Sequence, residues 1–145
     1  MKVRESMTRD VLVAHPDQSV AEVARLMVER DIGVLPVGEN DRLVGMLTDR
    51  DIAVRVVAEG KGPETKVSEA MSREVLYCYD DDDLNTVAGN MADLQVRRLP
   101  VVNRDKRLVG IVSIGDVAIC EGATMTGRAV ASISAPGGAH SQTMH

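Results

Sequence analysis

Two short polar pairs carry the residue types and spacing best suited to chemistry in this chain: Thr48 with Asp51, and Ser113 with Asp116. In each, the hydroxyl residue follows an apolar run containing a glycine, Gly45 or Gly110, and the aspartate opens an apolar, helix-like segment. Two kinds of chemistry fit. At a helix start the hydroxyl accepts a backbone N–H and the carboxylate sits in the favourable field of the first turn, so each pair can be a cap and nothing more. The same N–H groups also suit a phosphate, and a carboxylate offers two acceptors to the vicinal hydroxyls of a ribose. A nucleotide would then lay its ribose on the aspartate and its phosphates over the Thr or Ser.

The pairs recur because the chain repeats itself. Val3–Val37 aligns with Val67–Val101 at a shift of 64, with 13 of 35 positions identical. Arg42–Arg55 aligns with Arg107–Cys120 at a shift of 65, with 6 of 14 identical. Composition alone gives about one match in fifteen, so this is an internal duplication.

Each copy reads as strand, helix, strand, strand, helix. In the first, Val11–Ala14 is a short apolar run, and Ser19-Val-Ala-Glu22 is a capping-box signature. Val20, Val23, Ala24, Met27 and Val28 follow at helical spacing. Val34–Val37 and Leu43–Leu47 form a hairpin about Glu39-Asn40-Asp41, and Thr48 caps a helix ending near Gly60. The second copy places a strand at Val75–Tyr79, a helix at Leu84–Leu94, strands at Leu99–Val102 and Leu108–Val112, and a helix from Ser113. Thr124–Ile133 reads as one more short helix. The expected fold class is α/β (α+β), with a first repeat at 1–64, a second at 65–134 and a flexible tail at 135–145. One copy of about 60 residues buries little surface, so the two are expected to share a core about a pseudo-twofold axis.

Composition narrows the partners. A formal net charge of −5 disfavours nucleic acid, and with Tyr77 and Tyr79 as the sole aromatics there is no base-stacking platform. No window approaches the ~18 apolar residues of a membrane span and the N-terminus lacks a signal-peptide core, so a cytoplasmic, soluble protein is expected. Cys78 and Cys120 are isolated, and they read as structural thiols rather than zinc ligands or redox groups. Asp80–Asp83 lacks the spaced ligands of a calcium loop and reads as a solvated turn feeding a helix. His15, His140 and His145 have no evident catalytic partner. With no phosphate-binding lysine loop, nucleophile elbow or zinc-ligand spacing, no enzyme activity, metal or required cofactor is expected.

The β-α-β-β-α order, Leu35-Pro36-Val37 and Leu99-Pro100-Val101, and the doubled Gly-apolar-apolar-Thr/Ser-x-x-Asp resemble the CBS domain family, in the tandem arrangement called a Bateman module. The resemblance covers about Val3–Cys120, and Asp31–Pro36 and Gln95–Pro100 look like stand-alone bacterial two-CBS proteins, including those of the hypoxic-response type. It implies an adenosine-containing ligand, AMP, ADP or ATP, in clefts between the copies. Carried over residue by residue, Asp116 would hold a ribose, Ser113, Arg97 and Arg98 its phosphates, and backbone near Thr8, Val11, Ile32 and Gly33 the adenine. The mirror site would use Asp51 and Thr48, with Ser72, Val75 and Val96 near the base. Gly33 and Val34 stand where the second copy has Arg97 and Arg98, and Arg50 compensates only in part, so the Asp116 site is expected to bind more tightly. Consecutive strand residues face opposite ways, which leaves at most one of the two arginines for the cleft.

The resulting expectation is a regulatory module that senses energy or stress state through adenine nucleotides. The resemblance further implies a homodimer packed through its helices, and the target is an unknown protein on a separate chain. The rival readings are a ligand-free scaffold or stress-response interaction protein, whose Thr/Ser-Asp pairs only cap helices, and an acidic metal-binding protein built on Asp80–Asp83.

Overall fold

The computed structural model describes residues 1–121 and 123–135, and within them the chain folds as two compact units. The Asp51 unit takes Leu12–Val75 with Lys106–Leu108; the Asp116 unit takes Met1–Val11, Leu76–Asp105 and the described residues from Val109 onward. The units are therefore cut differently from the sequence repeats. Each repeat's leading segment, 3–11 or 67–75, belongs with the body of the other repeat.

The Asp51 unit begins with helix α1, Val20–Arg30. Ser19 Oγ accepts the Glu22 N–H at 3.2 Å, and the helix stops where Asp31 turns left-handed at φ 53°. Val20, Val23 and Met27 form its buried face, whereas Val28, at the edge of the same sequence pattern, is exposed. Strands β1 (Val34–Glu39) and β2 (Arg42–Thr48) pair antiparallel across Asn40 and Asp41, both at positive φ as a tight hairpin turn requires. Helix α2, Asp49–Ile52, continues into a π-wound turn at Ala53–Val57, in which the Ala58 N–H reaches Ala53 O at 2.9 Å. The short helix α3, Val67–Ala70, completes the unit.

In the Asp116 unit a 3-10 turn at Val3–Glu5 precedes strand β3 (Cys78–Tyr79), helix α4 (Leu84–Leu94) and strands β4 (Arg98–Val102) and β5 (Leu108–Ser113). The sheet order is β3-β4-β5, with β3 parallel to β4. Helices α5 (Ile114–Glu121) and α6 (Ala123–Ile133) follow, and α6 packs on α4 and α5. Gln95 ties the end of α4 to α6, its Nε2 donating to Ser132 O and Ala135 O at 3.0 Å each.

The buried side chains fall into two clusters, one per unit. Exchange of the leading segments is what makes each cluster sufficient. Val67, Ala70 and Met71 join Val23, Leu35, Leu47 and Val56, while Val3 and Met7 join Leu84, Val87, Met91 and Leu99. The identities Val3/Val67 and Met7/Met71 are thus the residues that fill equivalent places. The strand expected at Val11–Ala14 shrinks to one parallel bridge, Ala14 to Val37, and that at Val75–Tyr79 to Cys78–Tyr79. The chain passes from one unit to the other just before Leu12 and Leu76, so few residues remain in register. The tail at 135–145 lies outside the described residues except for Ala135.

The repeated glycines explain how the exchanged segments fit. A Cβ on Gly45 would lie 2.7 Å from Met71 Sδ and 2.8 Å from Ser72 O. One on Gly110 would lie 2.6 Å from Met7 Sδ and 2.8 Å from Thr8 O. The bare backbone lets Ser72 exchange hydrogen bonds with Met46 at 3.0 and 2.8 Å, and Thr8 with Ile111 at 2.9 Å each way.

Candidate nucleotide site

Each polar pair sits where a β-strand turns into a helix, at the edge reached by an exchanged segment. Thr48 closes β2, its N–H donates to Asp51 Oδ2 at 2.9 Å, and Asp51 N–H donates to Thr48 Oγ1 at 3.0 Å. Ser113 closes β5; its N–H donates to Asp116 Oδ2 at 2.7 Å, and Asp116 N–H donates to Ser113 Oγ at 3.2 Å. The Ser113 hydroxyl also lies 3.1 Å from Asp116 Oδ2. Both are reciprocal caps that satisfy donors left open at a helix start.

The caps use one carboxylate oxygen each, and the halves differ in what meets the other. Asp51 Oδ1 lies 3.9 Å from Arg55 Nε, one turn along the helix, while Arg55 Nη1 donates to Met71 O at 3.0 Å. Cys120 stands at the place of Arg55 in the second copy. Among the described residues, no hydrogen bond or ion pair engages Asp116 Oδ1, and the carboxylate is half-buried. Arg55 is the functional candidate that sequence reasoning missed; its i+4 spacing from Asp51 was the available signal.

Gly33 and Arg97 are equivalent in space as well as in sequence. Gly33 O accepts the Asp49 N–H at 2.9 Å, and Arg97 O accepts the Ile114 N–H at 2.9 Å. A Cβ on Gly33 would lie 3.0 Å from Asp49 Oδ2, so a side chain there would crowd a carboxylate, whereas Arg97 stands opposite Ile114. Arg97, Arg98, Arg50 and Thr8 are exposed; Ser72, Val75, Ile32, Val96 and Val11 are half-buried. Thr8, Val11, Val96, Arg97 and Arg98 belong to the unit of Ser113 and Asp116, and Ile32, Gly33, Arg50, Ser72 and Val75 to that of Thr48 and Asp51. Ile32 and Gly33, which the family resemblance groups with Asp116, fall in the Asp51 unit, and Val96, which it groups with Asp51, falls in the Asp116 unit.

The acidic run is engaged in structure throughout. Asp83 caps α4, accepting from Asn85 N–H at 3.1 Å and Thr86 N–H at 3.4 Å, and Asp82 accepts the Tyr79 N–H at 2.9 Å. Asp81 takes two hydrogen bonds from Arg104, at 3.0 and 2.7 Å, and the guanidinium lies over the Tyr79 ring at 4.0 Å. That partner holds the Asp81 carboxyl below the usual carboxylate range. Among the described residues no group of three or more His, Cys, Asp or Glu is arranged to hold a metal ion, and no helix is long and apolar enough to cross a membrane. Cys78 is buried, which with the nearby Asp82 charge pushes its thiol up to about 12.

The CBS domain model matches twice, at residues 3–58 and 67–120. The chain belongs to the CBS domain family. Its tandem CBS pair is 44% identical over 117 residues to the CBS domain-containing protein YhcV of Bacillus subtilis, covering 81% of this chain and 83% of that protein. It is 38% identical over 117 residues to Hypoxic response protein 1 of Mycobacterium tuberculosis, covering 79% and 81%. A crystal structure of Hypoxic Response Protein I with two coordinated zinc ions superposes with a TM-score of 0.74 at 36% identity, over 82% of this chain and 98% of that one. CBSX2 in complex with AMP superposes at 0.74 and 30% identity, over 83% and 95%. The CBS domain pair of protein MJ0100, in complex with 5′-methylthioadenosine and S-adenosyl-L-methionine, does so at 0.70 and 28% identity, over 82% and 94%. CBS pairs of this fold therefore include ones that hold adenosine compounds.

Proposed function

We propose that this CBS pair is a regulatory module for an adenine nucleotide, AMP, ADP or ATP, and that repeats 1–64 and 65–134 act together in it. The observation that carries the reading is the cap at Ser113–Asp116, where Oδ2 is held at 2.7 Å by backbone and Oδ1 is left for a ribose hydroxyl. The phosphates go to the start of α5 and to one of the two arginines Arg97 and Arg98, and backbone near Thr8 and Val11 frames the base. At the other half-site Asp51 and Thr48 take the same parts, with Arg50, Ser72 and Val75 around them. AMP in CBSX2 and S-adenosylmethionine in the MJ0100 pair support the ligand class. Occupancy regulates only if the nucleotide binds two arrangements of the module unequally. The module works as a cytoplasmic homodimer on a separate target protein and catalyses no reaction itself.

A ligand-free scaffold is the second reading, favoured by the completeness of both caps, which already account for Thr48, Asp51, Ser113 and Asp116. Thermal shift with AMP, ADP, ATP, S-adenosylmethionine and NADH separates the two. A ligand at a hundred times its Kd stabilises by about 2.7 kcal/mol and raises the midpoint; a scaffold responds to none of the five.

A further inference from the structure

We propose that Arg55 is a positioning residue of the Asp51 half-site, joining the ribose-binding carboxylate to the segment that frames the base; this rests on the nucleotide reading above. One guanidinium spans both groups, with Nε 3.9 Å from Asp51 Oδ1 and Nη1 on Met71 O at 3.0 Å. The far end of that span is rigid. Met71 is buried, and Ser72, next to it, exchanges both backbone hydrogen bonds with Met46.

The near end is fixed from the other side, since Asp51 Oδ2 holds the Thr48 N–H at 2.9 Å. Asp51 therefore meets a partner on each oxygen, the cap hydrogen bond on Oδ2 at 2.9 Å and the Arg55 charge 3.9 Å from Oδ1. A planar fork with five donors can serve a carboxylate and a carbonyl at once, which a lysine's point charge does less well. The arginine stands in the π-wound turn Ala53–Val57, a local irregularity that proteins often place at functional sites. Its side chain is 49% exposed, so the ion pair adds little stability and its contribution is orientation. Cys120 replaces it in the second copy, so this device belongs to the Asp51 half-site alone.

The test is a cycle between Arg55 and the ribose hydroxyls. In an Asp116→Asn background, which leaves the Asp51 half-site to be read, calorimetry compares ATP with 2′,3′-dideoxy-ATP. Arg55→Met should weaken ATP by about tenfold, the scale of one charge-assisted hydrogen bond, and leave the dideoxy ligand within about twofold. Arg55→Lys should show the same ribose dependence to a smaller degree, and it provides the cycle if the Met variant fails to fold. Equal losses for both ligands, no loss, or tighter ATP binding would overturn the role of Arg55. So would ATP binding by the unsubstituted chain that vanishes in Asp116→Asn. Absence of nucleotide binding from the unsubstituted chain would instead remove the nucleotide reading itself.

Discussion

Asp116 receives the backbone N–H of Ser113 on Oδ2 at 2.7 Å, and the equivalent bond from Thr48 to Asp51 is 2.9 Å. Two copies that diverged at most positions keep this relationship, while Arg55, whose Nε lies 3.9 Å from Asp51 Oδ1, is replaced in the second copy by Cys120. The cap is common to both halves, and the residue one helical turn beyond the aspartate is not.

The glycines beside the caps predict a measurable contrast. Gly110→Ala puts a methyl group 2.8 Å from Thr8 O, so the exchanged segment must shift. The expected loss is about 1–3 kcal/mol, as for overpacking elsewhere. Gly89→Ala, inside α4 where an added Cβ meets nothing within 4 Å, should gain up to about 1 kcal/mol through helix propensity. Urea denaturation of the two variants reads both signs.

Cys78 predicts a dependence on alkaline pH and on labelling. Its folded pKa, near 12, lies above the ordinary thiol value of 9.0. The unfolded chain therefore loses this proton first as pH rises. The stability this thiol contributes is complete below about pH 9 and is lost progressively as pH climbs toward 12. In the native protein at pH 8, iodoacetamide should spare Cys78 and modify it only after unfolding, as peptide mapping would show.

Much of the fold was legible in the sequence. The period of α1 and α4, the Ser19 cap, the Asn40-Asp41 turn and the Ser113 cap each follow from local chemistry, and the duplication multiplied the weight of every one. The exchange of residues 3–11 and 67–75 was not legible, because Val3 and Val67 fit either body equally well and periodicity does not say to which core a residue goes. The candidate site was legible as two polar pairs because each pair is a helix cap. Arg55 was missed because its link to Met71 spans 16 residues and depends on that exchange.

Arg104 predicts an acid-side effect. The guanidinium lowers the Asp81 pKa from its ordinary 3.8, chiefly through their hydrogen bonds. The stability from this pair is present above the unfolded value and is lost as pH falls through the lowered folded one. Carboxyl-carbon NMR should show Asp81 titrating below the ordinary aspartate value, and Arg104→Met should return it toward 3.8. Tyrosine fluorescence, arising from Tyr77 and Tyr79 alone, should change in the same variant as the cation leaves the Tyr79 ring.

Calorimetric titration of ATP into the unsubstituted chain, Asp51→Ala and Asp116→Ala tests the central claim most directly. Each substitution removes the carboxylate half of one reciprocal cap, at a cost of about 1 kcal/mol in stability, so folding is checked first by thermal melting. If the Asp116 half-site holds ATP more tightly, the tighter binding event disappears in Asp116→Ala and survives in Asp51→Ala. Full ATP affinity retained by Asp116→Ala would contradict it.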